Sequence, residues 1–347
     1  MRGKHSEPFD GWLTKYKADR LLSDYEVQAR LDPKVSVSLP PIDNGMLKVN
    51  SVFLEYMDRH FFFRGYAALG GVIITVFNMW AGVMLLIASG EPMHDGVLPT
   101  TMEALFMQMF SLPFFALFLW IFKGAVLRDF FCYTHYPIRF NRVNRKVYVF
   151  QRNSSDGVFS LGWDEFYWFV GRSKFGYGFI YDLRCHYLDS DGVIRFTCAV
   201  GNFFDTRAQV LQHWEMIRRY MEESPGDLPF PPLALVVSAE PTLRNCITIQ
   251  VGGLSTYSPK FLLMTVPWAF FRWISQMTCR RPRWPDEVEA QCQISIDDPY
   301  RLPEPASSGE VVGLDEVAVA ALFEYREKAE AAALAYEAAA SVQIPSH

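Results

Sequence analysis

The chain has 347 residues, of which 50% are hydrophobic and 16% aromatic, and its formal net charge is -5. This charge argues against nucleic acid as a general partner, and the six cysteines include no Cys-x-x-Cys pair of the kind found in zinc ribbons and thioredoxin-like motifs. Two uncharged apolar runs occupy about an eighth of the chain, which favours a membrane anchor carrying a water-exposed protein over a polytopic channel or transporter.

Residues 1–50 predict a polar N-terminal arm with a short amphipathic helix between Asp10 and Leu31. The start of the chain has no apolar segment next to its cations, so we expect no cleavable signal peptide. Aromatic and cationic side chains from Val49 to Phe63 are typical of an interfacial anchor that precedes a membrane span.

Residues 51–130 predict a transmembrane helical hairpin with spans at about 66–89 and 104–122. As an α-helix, the first run is about 36 Å long, which exceeds the roughly 30 Å of a bilayer's hydrocarbon core. The spans contain no ionisable residue, so a plain anchor is favoured over a path for ions or solutes.

The charges around the two runs predict how the hairpin is oriented. The linker between the runs carries Glu91, Asp95 and Glu103 and has no Lys or Arg, whereas cations flank the outer ends of both runs. The positive-inside rule then predicts a multi-pass protein of the bacterial inner membrane with both termini in the cytoplasm and the linker outside. The flanking cations are Arg59, Arg64, Lys123 and Arg128.

Residues 131–235 predict a cytoplasmic domain of about six short antiparallel strands followed by one helix. Turn signals at Asn153–Gly157 and Asp189–Gly192 separate strand-like runs. Thr206–Glu223 has apolar residues at the helical period, and Asp205 is its expected cap. This order is that of a pleckstrin-homology-like (PH-like) fold. The fold class is therefore an α+β membrane protein, with an N-terminal transmembrane helical hairpin followed by a PH-like antiparallel β domain with a C-terminal amphipathic helix.

Three short motifs in this region carry a family resemblance. They are Pro137-Ile-Arg-Phe-Asn-Arg142, Arg145-Lys-Val-Tyr-Val-Phe150 and Trp163-Asp-Glu165. With the hairpin, they resemble the bacterial membrane-anchored PH-like domains. More closely, residues 50–235 resemble a family of uncharacterised proteobacterial two-helix membrane proteins that are often encoded beside type VI secretion effectors. The resemblance implies an immunity or accessory role and supplies no catalytic residues.

The C-terminal third is predicted to contain two further regions. Residues 236–300 form a membrane-surface region, in which Cys246–Val251 alternates like a strand. The apolar element 261–277 is interrupted by Pro267 and Arg272, so an in-plane or re-entrant element is favoured over a third span. Residues 301–347 predict a Pro-rich linker and an Ala/Glu-rich, solvent-exposed helical tail from Asp315 to Ser341.

Two sets of binding residues follow from these expectations. A basic cluster is expected to face anionic lipid head groups, although the same residues also fit the positive-inside signal alone. Aromatic residues on strand edges and loops are expected to bind a protein partner, since Trp and Tyr are enriched in binding hot spots. The lipid-facing set is Arg139, Arg142, Arg145, Lys146, Arg280, Arg281 and Arg283, and the protein-binding set is Trp168, Phe175, Tyr177 and Tyr187.

No constellation in the sequence predicts catalysis. Cys132-x-x-His135 and Cys185-His186 lack further ligands or a base at suitable spacing, so we expect no catalytic residues, no cofactor and no metal, and we expect reduced thiols. The favoured function is an inner-membrane binding protein, not an enzyme, that neutralises a type VI secretion toxin as an immunity protein. The alternative is a membrane-anchored adaptor or regulator that senses lipid or assists effector loading. The expected partners are membrane lipids and a protein toxin or effector.

Overall fold

The computed structural model describes five stretches of the chain: residues 16–92, 98–175, 178–228, 235–253 and 262–342. By its internal contacts the chain divides into two compact units. Unit 1 consists of Met1–Phe62, His135–Glu240 and Arg281–His347, and unit 2 consists of Phe63–Thr134 and Pro241–Arg280.

All of the strands in the described stretches belong to unit 1. In chain order they are β1 (Arg30–Leu31), β2 (Met46–Val49), β3 (Phe53–Tyr56), β4 (Ile138–Asn141), β5 (Lys146–Phe150), β6 (Val158–Gly162), β7 (Tyr167–Phe175), β8 (Gly178–Leu188) and β9 (Ile194–Phe204). They form a four-stranded sheet in the order β1-β7-β8-β9 and a five-stranded sheet in the order β2-β3-β4-β5-β6. All neighbouring strands are antiparallel, as the sequence predicts.

The helices are distributed over both units. They are α1 (Asp24–Gln28), α2 (Arg59–Phe63), α3 (Tyr66–Ala88), α4 (Thr101–Ile121), α5 (Leu127–Asp129), α6 (Arg207–Glu222), α7 (Leu243–Gly253), α8 (Leu262–Thr278), α9 (Asp286–Gln291) and α10 (Glu316–Val342). A π-helical segment, Phe122–Val126, joins α4 to α5. The predicted hairpin of two long apolar helices is confirmed as α3 and α4.

The hairpin is inserted between two neighbouring strands of one sheet. β3 pairs with β4 in the register Phe53↔Asn141 to Tyr56↔Ile138, although residues 57–137 separate them in the chain. Every residue of β3 is buried. The predicted interfacial anchor at 49–63 is therefore wrong for 53–56, because these residues complete a sheet whose other strands come after the hairpin.

The two hairpin helices pack closely at their small residues. A Cβ added at Gly82 would lie 3.2 Å from the ring of Phe115, and one added at Gly71 would lie 2.8 Å from the Cβ of Ala125. Small residues let apolar helices approach in this way. A larger side chain at Gly71 would have to push the returning helix away.

Three local predictions are corrected by the structure. The predicted strand Cys246–Val251 lies inside the helix α7. The cap of α6 is Thr206 rather than Asp205, since its hydroxyl accepts a hydrogen bond from the backbone N–H of Gln209. Cys185 and Cys198, opposite each other on β8 and β9, form a disulfide rather than reduced thiols.

The tail helix α10 packs against α6 within unit 1 instead of standing in solvent. The side chain of Gln212 on α6 donates to the carbonyl of Ala329 at 2.7 Å, and the backbone N–H of Ala208 donates to Glu337 at 2.7 Å. Leu322 and Ala333 on α10 are buried in the main core. Small alanines on one face allow this close helix–helix contact, so the prediction of a wholly exposed helix is wrong for that face.

Three tryptophans lie at the centre of the main core. Trp163, Trp168 and Trp214 are essentially inaccessible to solvent. The ring of Trp163 lies 5.4 Å from that of Trp214 and 4.9 Å from that of Trp168, measured between centroids. This cluster joins α6 to the strand-rich part of unit 1, because aromatic side chains bury large apolar areas.

His213 on α6 makes the stability of unit 1 dependent on pH. It is fully buried, and its ring lies 4.9 Å from that of Tyr56. Burial lowers the pKa of His213 to about 4, whereas a histidine in an unfolded chain has a pKa of about 6.5. Below pH 6.5 the unfolded state therefore takes up a proton that the folded state resists, and stability is lost as the pH falls towards 4.

We expect this histidine to remove up to about 3 kcal/mol of unfolding free energy between pH 7 and pH 4. Denaturant unfolding of wild type and His213→Gln, followed by tryptophan fluorescence across this range, measures the effect. Subtracting the two profiles of unfolding free energy against pH removes the contribution of carboxylates such as Asp43, which is the same in both proteins. Parallel profiles would show that His213 is not the titrating group.

Candidate functional site

Unit 1 contains a cavity of about 670 Å³, and eight of its eighteen lining residues are charged. This volume lies within the range of known ligand sites, which usually carry fewer charged groups. Among its lining residues are Lys48, Glu55, His135, Arg139, Glu240, Arg281, Arg283, Trp284, Glu289 and Glu304.

The centre of the cavity wall is a buried ion pair between neighbouring strands. Glu55 on β3 lies directly opposite Arg139 on β4, and the Nε of Arg139 donates to Glu55 at 2.7 Å. The indole N–H of Trp284 donates to the same carboxylate oxygen at 2.9 Å. Glu55 is 3% exposed and Arg139 is 2% exposed. A pair this deeply buried needs these additional hydrogen bonds to offset its loss of hydration.

Two aromatic rings lie close to the guanidinium of Arg139. It lies 4.1 Å from the ring centroid of Phe53 and 4.8 Å from that of Trp284, distances suited to cation–π attraction. A second carboxylate, Glu289, lies 3.3 Å away. Burial is the largest single influence on the pKa of Glu55 and raises it, but the charges of Arg139 and Lys48 and the hydrogen bond from Arg139 together hold that pKa below its ordinary value. Glu55 therefore stays ionised and acts as a hydrogen-bond acceptor.

The remaining charges of the cavity are more exposed. Arg281 pairs with Glu240 at 2.6 Å, and Lys48 pairs with Glu304 at 3.3 Å. Arg283 is exposed, and its backbone N–H donates to the side chain of Asn153 at 2.8 Å. Opposite charges thus alternate around the cavity, which favours recognition of a polar or charged group over an apolar ligand.

The structure brings together only part of the predicted lipid-facing set. Arg139, Arg281 and Arg283 line the cavity, but burial leaves Arg139 almost no surface for a head group. Arg142 donates to the carbonyl of Glu223 at 2.8 Å, just past the end of α6. Cations are favoured at that end of a helix.

Three members of the predicted set lie elsewhere. Arg145 is bound to Asp164 at 2.9 Å and to Glu222 at 2.8 Å. Lys146 is exposed at the start of β5, and Arg280 is exposed in unit 2. Lipid binding by the exposed residues stays a prediction.

The predicted protein-binding residues also separate. Trp168 is 1% exposed and belongs to the core, so it is not available to a partner in this fold. Tyr187 on β8 is half-buried, with its ring 5.9 Å from that of Phe159. Phe175 ends β7, and Tyr177 lies outside the described residues. Partner binding by the last three stays a prediction.

Sequence reasoning did not identify Glu55, Trp284 and Glu289 as site residues. They lie far from Arg139 in the chain and reach it only through the folding of unit 1. Glu55 sits in the run Phe53–Tyr56, whose aromatic and apolar neighbours gave no local sign of a charged site. Only the β3–β4 register could have indicated that Glu55 faces Arg139.

The apolar hairpin in unit 2 is the second candidate functional surface, because most of it is exposed. Only 22% of the most apolar window of α3, and 6% of that in α4, is buried. Large side chains such as Val76, Phe77, Met109 and Trp120 are more than half exposed. A core helix of a water-soluble protein would instead be mostly buried.

Three polar side chains in the hairpin donate hydrogen bonds to carbonyls of their own helices. The hydroxyl of Thr75 donates to the carbonyl of Gly71 at 2.7 Å, and Asn78 donates to that of Ile74 at 2.8 Å. Ser111 likewise donates to the carbonyl of Gln108 at 2.7 Å. Each of these side chains therefore has a hydrogen-bond partner that does not depend on water, which lowers the cost of entering an apolar medium.

These features define a class: an α+β protein whose strand-rich unit is interrupted by a long apolar helical hairpin. The chain belongs to DUF6708, a family of unknown function, whose family model matches residues 115–295, just over half of the chain. That match covers the last third of α4, strands β4 to β9 and helices α5 to α9. Searches of curated proteins and of solved structures found no match.

The buried pair allows a quantitative test. Replacing Arg139 by Met leaves the Glu55 carboxylate buried without its main partner, and we expect a loss of about 3–5 kcal/mol in unfolding free energy. Glu55→Leu should cost a similar amount. The double variant should recover a large part of the loss, because no buried charge is then left unpaired and Glu289 is exposed to water. A double-mutant cycle from denaturant unfolding measures this coupling.

A matched control is Arg195→Gln, which removes an exposed cation paired with Asp19 at 2.6 Å and Asp189 at 2.7 Å. It should cost less than about 1 kcal/mol. Strictly additive losses in the Glu55 and Arg139 variants would show that the two charges do not depend on each other.

Proposed function

We propose that this protein is a non-enzymatic binding protein of the bacterial inner membrane, anchored by α3 and α4. The observation that carries the proposal is the exposed apolar surface of the hairpin, which is little buried within the protein and whose Thr75 and Asn78 donate hydrogen bonds to carbonyls of their own helix. Such a surface is stable in lipid and unfavourable in water.

Charge supports the orientation with unit 1 in the cytoplasm. Described cations cluster at the outer ends of the hairpin, while the linker between its helices carries Glu91 and no Lys or Arg. The capping residue Thr100 and the carboxylate Glu103 close the N-terminus of α4 with reciprocal hydrogen bonds. This places acidic and polar groups at the linker end, where the positive-inside rule expects the non-cytoplasmic side.

The proposed partner of unit 1 is a protein toxin of the type VI secretion system, which would make this chain an immunity protein. Support comes from the resemblance of Pro137–Arg142, Arg145–Phe150 and Trp163–Glu165 to membrane-anchored PH-like proteins encoded beside such effectors. The charged cavity adds a recognition surface, in which the exposed Arg281 and Arg283 stand beside the fixed, buried pair of Glu55 and Arg139. Preorganised groups lose little freedom on binding, which favours a specific partner.

A membrane adaptor or regulator is the second candidate. Arg281 and Arg283 at the exposed side of the cavity favour it, since arginines bind phosphate head groups and anionic protein segments alike. In that role unit 1 would sense lipid or assist effector loading.

Membrane insertion can be tested with charge on the exposed faces of the hairpin. Phe77 on α3 and Phe110 on α4 are both more than half exposed. Each Arg near a span centre costs roughly 2.5–3.5 kcal/mol, so Phe77→Arg with Phe110→Arg should move the protein out of the carbonate-resistant membrane fraction. The matched Phe77→Leu, Phe110→Leu protein should remain in it.

Equal fractionation of both double variants would contradict an anchor made by these helices. Orientation is tested on the same protein by reporter fusions. A fusion at Asp95, which lies outside the described residues, should be active only on the outer side. Cytoplasmic activity at that position would overturn the proposed orientation.

Immunity is tested by deleting the gene in cells that meet the toxin encoded beside it. We expect the deletion strain to be killed by sister cells, and expression of the wild-type chain to restore survival. The Arg281→Glu, Arg283→Glu protein should protect less if the cavity holds the toxin. Full survival of the deletion strain would refute the immunity role, whereas loss of effector secretion would support the loading role instead.

A further inference from the structure

Two cysteines and an arginine meet in unit 2, at the end of the segment that follows α5. The sulfurs of Cys132 and Cys279 lie 3.7 Å apart. One guanidinium nitrogen of Arg64 lies 3.3 Å from the first sulfur and 3.1 Å from the second. That nitrogen also donates to the carbonyl of Asp129 at 2.6 Å, and Arg64 is fully buried. The cation is thus fixed between two thiols.

Backbone pairing places the two cysteines side by side. Tyr133 and Arg280 form a parallel bridge, in which Arg280 donates to the carbonyl of Cys132 at 2.9 Å and accepts from Thr134 at 2.9 Å. In this register Cys132 is the neighbour of Cys279. Paired strands lie about 4.8 Å apart, and a disulfide spans Cα atoms about 4.4–6.8 Å apart. Rotation of the side chains can therefore bring the sulfurs to the bond length of about 2.05 Å.

The surroundings give the two thiols different acidities. The hydrogen bond from Cys279 and the charge of Arg64 lower the pKa of Cys132 to about 6. Cys279 donates its thiol proton to this hydrogen bond, and the bond and burial raise the pKa of Cys279 well above its ordinary value. At neutral pH the pair therefore consists of one thiolate and one thiol, and both side chains are half-buried rather than sealed from solvent. A thiolate beside a fixed cation is the reactive form of cysteine.

We propose that Cys132 and Cys279 form an oxidisable dithiol that reacts with hydroperoxides, with Arg64 as the residue that positions the thiolate. The Cys132 thiolate attacks one peroxide oxygen, the O–O bond breaks, and an alcohol or water leaves after taking up a proton. Cys132 becomes a sulfenic acid. The Cys279 sulfur then attacks it, the S–O bond breaks, and water leaves with the thiol proton as the disulfide forms.

The two thiols together are oxidised by two electrons, and one hydroperoxide is reduced. The resulting disulfide would join the segment after α5 to the end of α8, positions 147 residues apart in the chain. Two parts of unit 2 now held by backbone hydrogen bonds would become covalently linked. A dithiol reductant would reverse the step by thiol–disulfide exchange.

The test uses the full-length protein in detergent with hydrogen peroxide as the probe. After oxidation at pH 7 and blocking of free thiols, peptide mapping without reductant should find the Cys132–Cys279 linkage, and prior addition of dithiothreitol should remove it. Cys132→Ser and Cys279→Ser should each abolish the linkage. The matched controls Cys246→Ser and Cys292→Ser remove the other described free thiols and should leave it unchanged.

A second measurement isolates the role of the neighbouring groups. Alkylation of Cys132 in the wild-type protein should rise with pH around a midpoint near 6, and in Cys279→Ser or Arg64→Gln the midpoint should shift upward toward about 8.5, the value of a free thiol. Arg64→Lys keeps the charge and should shift it less. Oxidation of Cys132 only to sulfinic acid, or a wild-type midpoint near 8.5, would overturn the proposal without relying on any variant.

Discussion

The pairing of β3 with β4 is the constraint on which the rest of unit 1 depends. It joins Phe53–Tyr56 to Ile138–Asn141 across all of residues 57–137. The backbone N–H of Tyr136 donates to Asp58 at 2.8 Å, so the two ends of the insertion are held together just beyond the paired strands. The entropy cost of closing a loop grows slowly with its length, and an insertion that folds into its own helices adds little further cost. A sheet can therefore accept a long helical hairpin between neighbouring strands.

The same pairing creates the charged cavity. Because β3 and β4 are antiparallel and in register, Glu55 faces Arg139, and Trp284 and Phe53 enclose the guanidinium. Burying these charges is costly unless every one is matched. The buried pair therefore stabilises the wall of the cavity, and a change to either charge affects the fold around it.

Cations in this protein have two kinds of role that composition does not distinguish. Arg142 and Arg145 bind the C-terminal end of α6, and Arg139 is part of a buried pair. Arg281 and Arg283 lie at the exposed side of the cavity. In unit 2, Arg64 lies between two thiols and beside a backbone carbonyl. A run of Arg and Lys beside a membrane segment thus includes structural partners as well as residues free to meet a head group.

The sequence by itself determined the elements whose signal is local. The long uncharged runs predicted α3 and α4, and the Asp189–Gly192 turn predicted the β8–β9 hairpin, because periodicity and turn chemistry act over a few residues. Only the tertiary structure decided that β3 belongs to the sheet after the hairpin, that Trp168 and Arg139 are buried, and that Cys132 meets Cys279. Each of these depends on contacts between residues far apart in the chain, which no local pattern specifies. For the same reason α7 is a helix despite its alternating sequence, since packing decides a short apolar run that fits either form.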